Sequence, residues 1–277
     1  MNLINGEFRE YIEVADRGFQ YGDGLFETIA VINQQPVFLD RHINRIKAGC
    51  FRLQIPFPSI DLLITEAHQL SKQSTNGILK LILTRGSGGR GYRMPDIINT
   101  TRVFSLFPPP NYPVSLREQG IIARFCDTRL GLNPLLAGIK HLNRLEQIMA
   151  RSEWTNPDIK EGIMLDINGH IIEGTMTNLF YYKNNTLYTS VLESSGIAGV
   201  IRGVIIEICS NAGFPVIEHT FTKKELLSAE EIFVCNSIIG IWPVKQIEQT
   251  CFKVGSETQK LQNKLAQFQI KAHKGDD

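Results

Sequence analysis

The chain lacks most of the features that mark a secreted, membrane-spanning or metal-binding protein. Its five cysteines, Cys50, Cys126, Cys209, Cys235 and Cys251, stand far apart, are odd in number and form no Cys-x-x-Cys pair. This argues against a disulfide framework or zinc site and reads as reduced, packed thiols. The histidines, His42, His68, His141, His170, His219 and His273, are equally scattered and form no His-x-x-x-His face, so no metal is expected. No apolar run approaches the roughly 20 residues that a spanning helix needs. The opening Met1-Asn-Leu-Ile-Asn-Gly-Glu7 carries neither a basic region nor a long apolar one. A formal charge of +1 gives no reason to expect nucleic acid or an anionic membrane as partner. The resulting expectation is a soluble protein of the cytoplasm.

What is present is a chain of 277 residues, 43% of them hydrophobic, enough for a substantial core and more in keeping with two domains than one. Strand-like runs at Leu25 to Ile32, Gly77 to Thr84 and Thr101 to Phe107 alternate with helix-like runs at Asp40 to Arg52 and Ser59 to Lys72. They predict a small α+β domain over 1–107. Phe107-Pro-Pro-Pro-Asn-Tyr-Pro113 interrupts regular structure, because consecutive prolines remove amide donors and favour extended geometry, which places a linker at 108–118.

The remainder, 119–277, reads as a larger and β-rich domain. Gly120 to Phe125, Gly162 to Asp166, Ile171 to Glu173, Leu179 to Tyr182 and Glu231 to Asn236 are strand-like. Asp166-Ile-Asn-Gly-His170 and Asn184-Asn-Thr186 supply turns. Helical spacing covers about Asn143 to Arg151, Gly199 to Cys209 and Ser256 to Phe268, and the tail from Lys271 is expected to fray.

Several residues have the chemistry of a Schiff-base site, which needs an amine, a carboxylate for a ring nitrogen, and cations with amide donors for a phosphate. Lys140 follows the apolar Leu135-Leu-Ala-Gly-Ile139, which would desolvate its amine and lower its pKa; the alternative is an interface lysine paired with Glu146. Glu173 follows Ile171-Ile172 and precedes Gly174, so its carboxylate is aimed inward at a strand end, either for a protonated pyridine or for an ordinary arginine. Arg45 lies three residues after His42 on one helix face and has the fork for a phosphate. Gly196-Ile-Ala-Gly-Val-Ile-Arg202 places the amides of Val200 and Ile201 at a helix N-terminus, and Cys235-Asn-Ser237 closes a strand with a hydroxyl donor. Leu83-Thr-Arg-Gly-Ser-Gly-Gly-Arg-Gly-Tyr92 fits neither a P-loop nor G-x-G-x-x-G and reads as a substrate loop, with Arg85 and Arg90 as carboxylate contacts or solvated charges.

Taken in order, Tyr21-Gly-Asp-Gly-Leu-Phe-Glu27, Arg41-His-Ile-Asn-Arg45, Lys140, Glu173-Gly-Thr-Met-Thr-Asn178, Gly199-Val-Ile-Arg202 and Cys235-Asn-Ser237 resemble the fold-type IV pyridoxal-phosphate enzymes over roughly residues 3 to 250. The resemblance implies an α+β, two-domain fold with a small α/β sandwich domain and a larger β-barrel-like domain flanked by helices. It implies pyridoxal 5'-phosphate as cofactor, held by Lys140, Glu173, Arg45, the amides of Val200 and Ile201, Asn236 and Ser237. Lys140 would also be the catalytic base, and Arg90, in preference to Arg85, a carboxylate-binding arginine.

Within that family, Leu83 to Tyr92 and Asn133 to Gln147 resemble the aminodeoxychorismate lyases in particular. That resemblance implies β-elimination of 4-amino-4-deoxychorismate to 4-aminobenzoate and pyruvate, a step of folate biosynthesis, by a homodimer. D-amino-acid and branched-chain aminotransferases are the alternative. Glu27, where some lyases carry threonine, is aminotransferase-like, whereas Leu145 replaces the tyrosine of branched-chain aminotransferases.

Overall fold

The computed structural model describes residues 1–274, and its chain divides into two compact units. The first comprises Met1–Pro110, Ile139–Asn143 and 272–274; the second comprises Asn111–Gly138 and Arg144–Lys271. The sequence placed a single cut at the prolines, whereas the short segment carrying Lys140 is counted with the first unit.

In the first unit the elements are β1 (Asn2–Ile4), β2 (Glu7–Phe8), α1 (Arg17–Tyr21), β3 (Gly24–Ile32), β4 (Gln35–Pro36), α2 (Leu39–Leu53), α3 (Ile60–Ser71), β5 (Asn76–Thr84) and β6 (Thr101–Phe107). The strands form one antiparallel sheet in the order β2-β1-β6-β5-β3-β4. Side chains alternate across a strand, so Leu25, Ile29 and Val31 of β3 and Leu79, Leu81 and Leu83 of β5 share the buried face. Ile43 and Ile46 of α2 and Leu63, Ala67 and Leu70 of α3 are buried as well. Helix α3 starts where Ser59 accepts the Leu62 amide.

The second unit holds α4 (Ser115–Glu118), β7 (Ile121–Leu130), α5 (Leu145–Ser152), β8 (Ile159–Asp166), β9 (Ile171–Gly174), β10 (Asn178–Lys183), β11 (Thr186–Ser190), α6 (Val200–Asn211), β12 (Val216–His219), α7 (Lys223–Leu227), β13 (Glu231–Asn236), β14 (Gly240–Ile247), β15 (Thr250–Cys251) and α8 (Ser256–Lys274). Its sheet runs β12-β11-β10-β13-β14-β7-β8-β9, with β15 on β14. Ser190 Oγ on β11 donates to the Ile171 carbonyl on the edge strand β9 at 2.9 Å, so the sheet curls back on itself. Phe125, Ile163, Leu179, Phe221, Val234, Trp242 and Val244 fill its main core.

Both architectures are those expected: two curled sheets flanked by helices. Helix α5 begins at Leu145 rather than Asn143, β7 runs on to Leu130, and α8 extends past Phe268 to Lys274. Of the tail expected to fray, 275–277 lie outside the described residues. No helix among the described residues is long and apolar enough to cross a membrane.

Candidate active site

In the first unit the alternation of β3 places a carboxylate among apolar neighbours. Glu27, between Leu25 and Ile29 on the buried face, is fully buried. Helix α2 supplies its partners from one face. Arg45 Nε donates to Glu27 Oε1 at 2.7 Å and Arg45 Nη2 to Oε2, while His42 Nδ1 lies 2.6 Å from Oε2. Burial pushes the Glu27 pKa up, but the Arg45 charge and the hydrogen bonds from Arg45 and His42 outweigh it and hold the carboxyl at about 2. Burial lowers the pKa of His42 against the pull of Glu27. A carboxylate only accepts, so the neutral ring carries its proton on Nδ1. The expected phosphate ligand Arg45 is thereby held in a fixed orientation by Glu27.

Lys140 stands beside the same strand. The Phe26 amide donates to the Lys140 carbonyl at 3.0 Å, the Leu142 amide donates to the Gly24 carbonyl at 3.0 Å, and Leu25 bridges His141. Lys140 Nζ sits 4.1 Å from the centroid of the Phe26 ring. The apolar run before it does not enclose it as the sequence suggested, because Leu135 is 80% exposed and only Ala137 and Ile139 are buried. A ring face from β3 provides the apolar contact instead. Glu146, the alternative partner, accepts the Gly131 amide at 2.9 Å.

Arg85 differs in setting from Arg90. It is buried, and its guanidinium donates to Asp23 from Nε at 2.8 Å and Nη2 at 3.0 Å and to the carbonyls of Gln54 and Leu53, each at 2.8 Å. These donors are taken up within the fold. Arg90 is exposed on the loop.

In the second unit the segment Glu173 to Asn178 organises the site. Glu173 is buried and its Oε2 accepts the Ile197 amide at 2.8 Å, while Asn178 Nδ2 donates to the Ile197 carbonyl at 2.8 Å. Both ends of the motif thus grip one residue of the turn before α6. Gly199 is the N-cap of that helix; a Cβ there would come within 2.0 Å of Asn178 Oδ1, so the close approach requires glycine. Val200 and Ile201 open the helix, where amides have no partner within it. Arg202 pairs with Glu218 and donates to the Ser190 carbonyl at 2.9 Å, fastening α6 to the sheet.

Asn236 reaches the same motif, its Nδ2 donating to the Met176 carbonyl at 3.1 Å and its Oδ1 accepting from Ile238 and Ile239. This turn carries the half-buried Ser237. Arg144 lies within electrostatic reach of Glu173, and burial lowers its pKa against the pull of Glu173 and Glu146. Glu173, Val200, Ile201 and Asn236 are therefore linked through Ile197, Asn178 and Met176.

Three residues have supporting contacts that the sequence did not assign to them. Glu27 carried a signal, because the run Leu25-x-Glu27-x-Ile29-x-Val31 puts it on the core face of an alternating strand. Phe26 lies on the opposite face beside Lys140. Glu161 is a third: buried in β8, it accepts from Gly162 N, Thr175 N and Oγ1, Met176 N and Thr177 Oγ1, and so holds the centre of the motif.

Each unit thus carries its own part of the expected chemistry: the first an amine against a ring face, the second a buried carboxylate and a helix N-terminus approached through glycine. Residues 24–247 match the family model described as amino-transferase class IV. The aminodeoxychorismate lyase of Vibrio harveyi is 36% identical over 269 residues, covering 96% of this chain and 99% of that one. The D-alanine aminotransferase of Bacillus licheniformis is 29% identical over 258 residues, 89% of this chain and 88% of its own. Among solved structures, 4-amino-4-deoxychorismate lyase from Pseudomonas aeruginosa is 41% identical with a TM-score of 0.93, covering 96% of this chain and 98% of its own. The chain belongs to the amino-transferase class IV family, the fold-type IV enzymes that its ordered motifs resemble.

Proposed function

We propose that this chain is an aminodeoxychorismate lyase that converts 4-amino-4-deoxychorismate to 4-aminobenzoate and pyruvate, a precursor-forming step of folate biosynthesis. The observation that carries the reading is the likeness to two such lyases over nearly the full length of each chain, above that to the D-alanine aminotransferase. Leu145, exposed at the start of α5, supports it against a branched-chain aminotransferase, where the resemblance expects a tyrosine.

When bound, pyridoxal 5'-phosphate supplies an aldehyde for the substrate amine and a protonated ring that accepts electrons. Lys140 would hold the coenzyme through its side-chain amine, and that amine, when free, would take the proton from the amine-bearing ring carbon of the substrate. Glu173 would be the carboxylate that partners the pyridine nitrogen and keeps it protonated. By the family resemblance, Arg45, the amides of Val200 and Ile201, Asn236 and Ser237 would be the phosphate ligands, and Arg90 would take a substrate carboxylate. Loss of the enolpyruvyl ether then yields pyruvate and an aromatic ring, and no amino acceptor is consumed.

The working form is a homodimer in the cytoplasm. Leu145, Ile148 and Met149 form an apolar stripe on α5 at 72%, 62% and 59% exposure, a face that a second copy would cover. Supplying 4-amino-4-deoxychorismate without a keto acid tests the reading: pyruvate and 4-aminobenzoate support it, whereas no product and conversion to the amine form of the coenzyme with D-alanine or leucine identify an aminotransferase.

A further inference from the structure

We infer that Arg17 is a positioning residue for the substrate loop, holding the backbone on either side of Arg90 so that its guanidinium meets the substrate carboxylate. The inference rests on the proposed role of Arg90 and names the residue that sets its place.

Arg17 opens α1 yet is only 3% exposed, which is unusual for a charged side chain on a five-residue helix. Its Nε donates to Asp23 Oδ2 at 2.9 Å and its Nη1 to the Gly91 carbonyl at 3.0 Å. The same guanidinium lies 4.8 Å from the centroid of the Tyr21 ring, and Tyr21 meets Tyr92 edge-on at 5.9 Å. A Cβ at Gly89 would sit 3.4 Å from Arg17 Nη1, so the cation also lies against the residue before Arg90. Gly89 and Gly91 both have positive φ, at 73° and 63°, where side-chain-bearing residues are strained. Arg90 is therefore flanked by two left-handed glycines, both next to Arg17.

The base of the loop is tied to the same place. Asp23 accepts from both Arg17 and Arg85, forming a cation–anion–cation row. The Arg17 amide donates to the Gly86 carbonyl at 2.9 Å, and Asp16 accepts from Thr84 Oγ1, which itself accepts the Gly86 amide. Arg85 fixes the start of the loop and Arg17 its tip. A lysine at 17 keeps a charge near Asp23 but loses the planar fork that serves Asp23 and Gly91 together.

The test uses holoenzyme of wild type, Arg17→Lys, Arg90→Ala and the double variant. Arg17→Lys is expected to raise KM for 4-amino-4-deoxychorismate about tenfold, the effect of one lost hydrogen bond from a charged donor, with kcat and the coenzyme absorbance little changed. In the Arg90→Ala background the same substitution is expected to add nothing further to KM. Trypsin is expected to cut native Arg17→Lys faster after Arg90 and Arg93 than wild type, with no such change at other sites. Tyr92→Ala, at a 91% exposed side chain that bears little of the fold, is expected to move KM and cleavage in the same direction and keeps the test open if Arg17→Lys folds poorly. Equal cleavage, or KM effects that add fully in the double variant, would overturn the inference. Proteolysis needs no substrate, so faster cleavage in a protein without lyase activity would reject the lyase reading while retaining the anchor; unchanged cleavage in an active lyase would do the reverse.

Discussion

Lys140 Nζ lies 4.1 Å from the centroid of the Phe26 ring, and the Phe26 amide donates to the Lys140 carbonyl at 3.0 Å. One β3 residue thus meets both the backbone and the amine of the lysine proposed to hold the coenzyme. The contact limits where the amine can point. Lys140→Ala is expected to abolish turnover and the coenzyme's covalent absorbance. Phe26→Leu keeps an apolar side chain but removes the ring face, and is expected to lower kcat about tenfold at most, with the coenzyme retained. Steady-state kinetics with absorption spectra separate the two; a fully active Lys140→Ala would reassign the lysine.

Glu27 ties acid sensitivity to the site. Its folded pKa of about 2 lies below the ordinary 4.5, so its contribution is complete above 4.5 and is lost as pH falls toward 2. The size is on the order of 3 kcal/mol. His42, lowered from 6.5 chiefly by burial, acts with the same sign, because the unfolded chain takes up that proton first as pH drops below 6.5. Denaturation free energies measured from pH 7 to pH 3 should therefore decline below about 6.5 and more steeply below 4.5. Glu27→Gln should be less stable at pH 7 and show a shallower decline in the acid range. Parallel pH profiles for the two proteins would contradict the ion-pair account.

Glu161 is the buried support of the Glu173 motif. Burial raises its pKa, against hydroxyl and amide donors from Thr175, Thr177, Gly162 and Met176. Removing the acceptor leaves those buried donors unmet, so Glu161→Ala is expected to cost about 3 kcal/mol, whereas Glu161→Gln retains one acceptor oxygen and costs about 1 kcal/mol. Chemical denaturation of the three proteins measures this; an Ala variant as stable as wild type would show that the motif holds itself.

The thiols divide by burial. Cys50, Cys126, Cys209 and Cys235 are buried, with pKa values pushed up to about 12, 12, 11 and 12, while Cys251 is exposed on β15. A thiolate-specific reagent is expected to label Cys251 alone in the native protein and all five after unfolding. Rapid labelling of a second native thiol would place one of the buried cysteines at the surface.

Local signals carried much of the fold. Ser59 caps α3, Glu231–Asn236 forms a strand with the bounds read from its apolar run, and Asn184 and Asn185 turn β10 into β11 with positive φ at both positions. The strand Val216–His219 was not legible because it pairs in parallel with β11 and is half exposed without clear alternation. Helix α7 did carry a signal, the Thr222 to Glu225 capping box, that its short length obscured. In the site, residue types and order pointed to Lys140, Glu173 and the α6 N-terminus. The burial of Arg85 against Asp23, and the role of Phe26 beside Lys140, depend on residues 62 and 114 positions apart meeting in space, which periodicity does not encode.

The most direct measurement is the product balance of purified holoenzyme given excess 4-amino-4-deoxychorismate and no keto acid, with pyruvate and 4-aminobenzoate quantified together. The lyase account expects the two in equal amounts, accumulating linearly through many turnovers while the coenzyme keeps its aldehyde form. A reaction that stops after one equivalent per site with the coenzyme left as the amine, or that yields neither product, would contradict it.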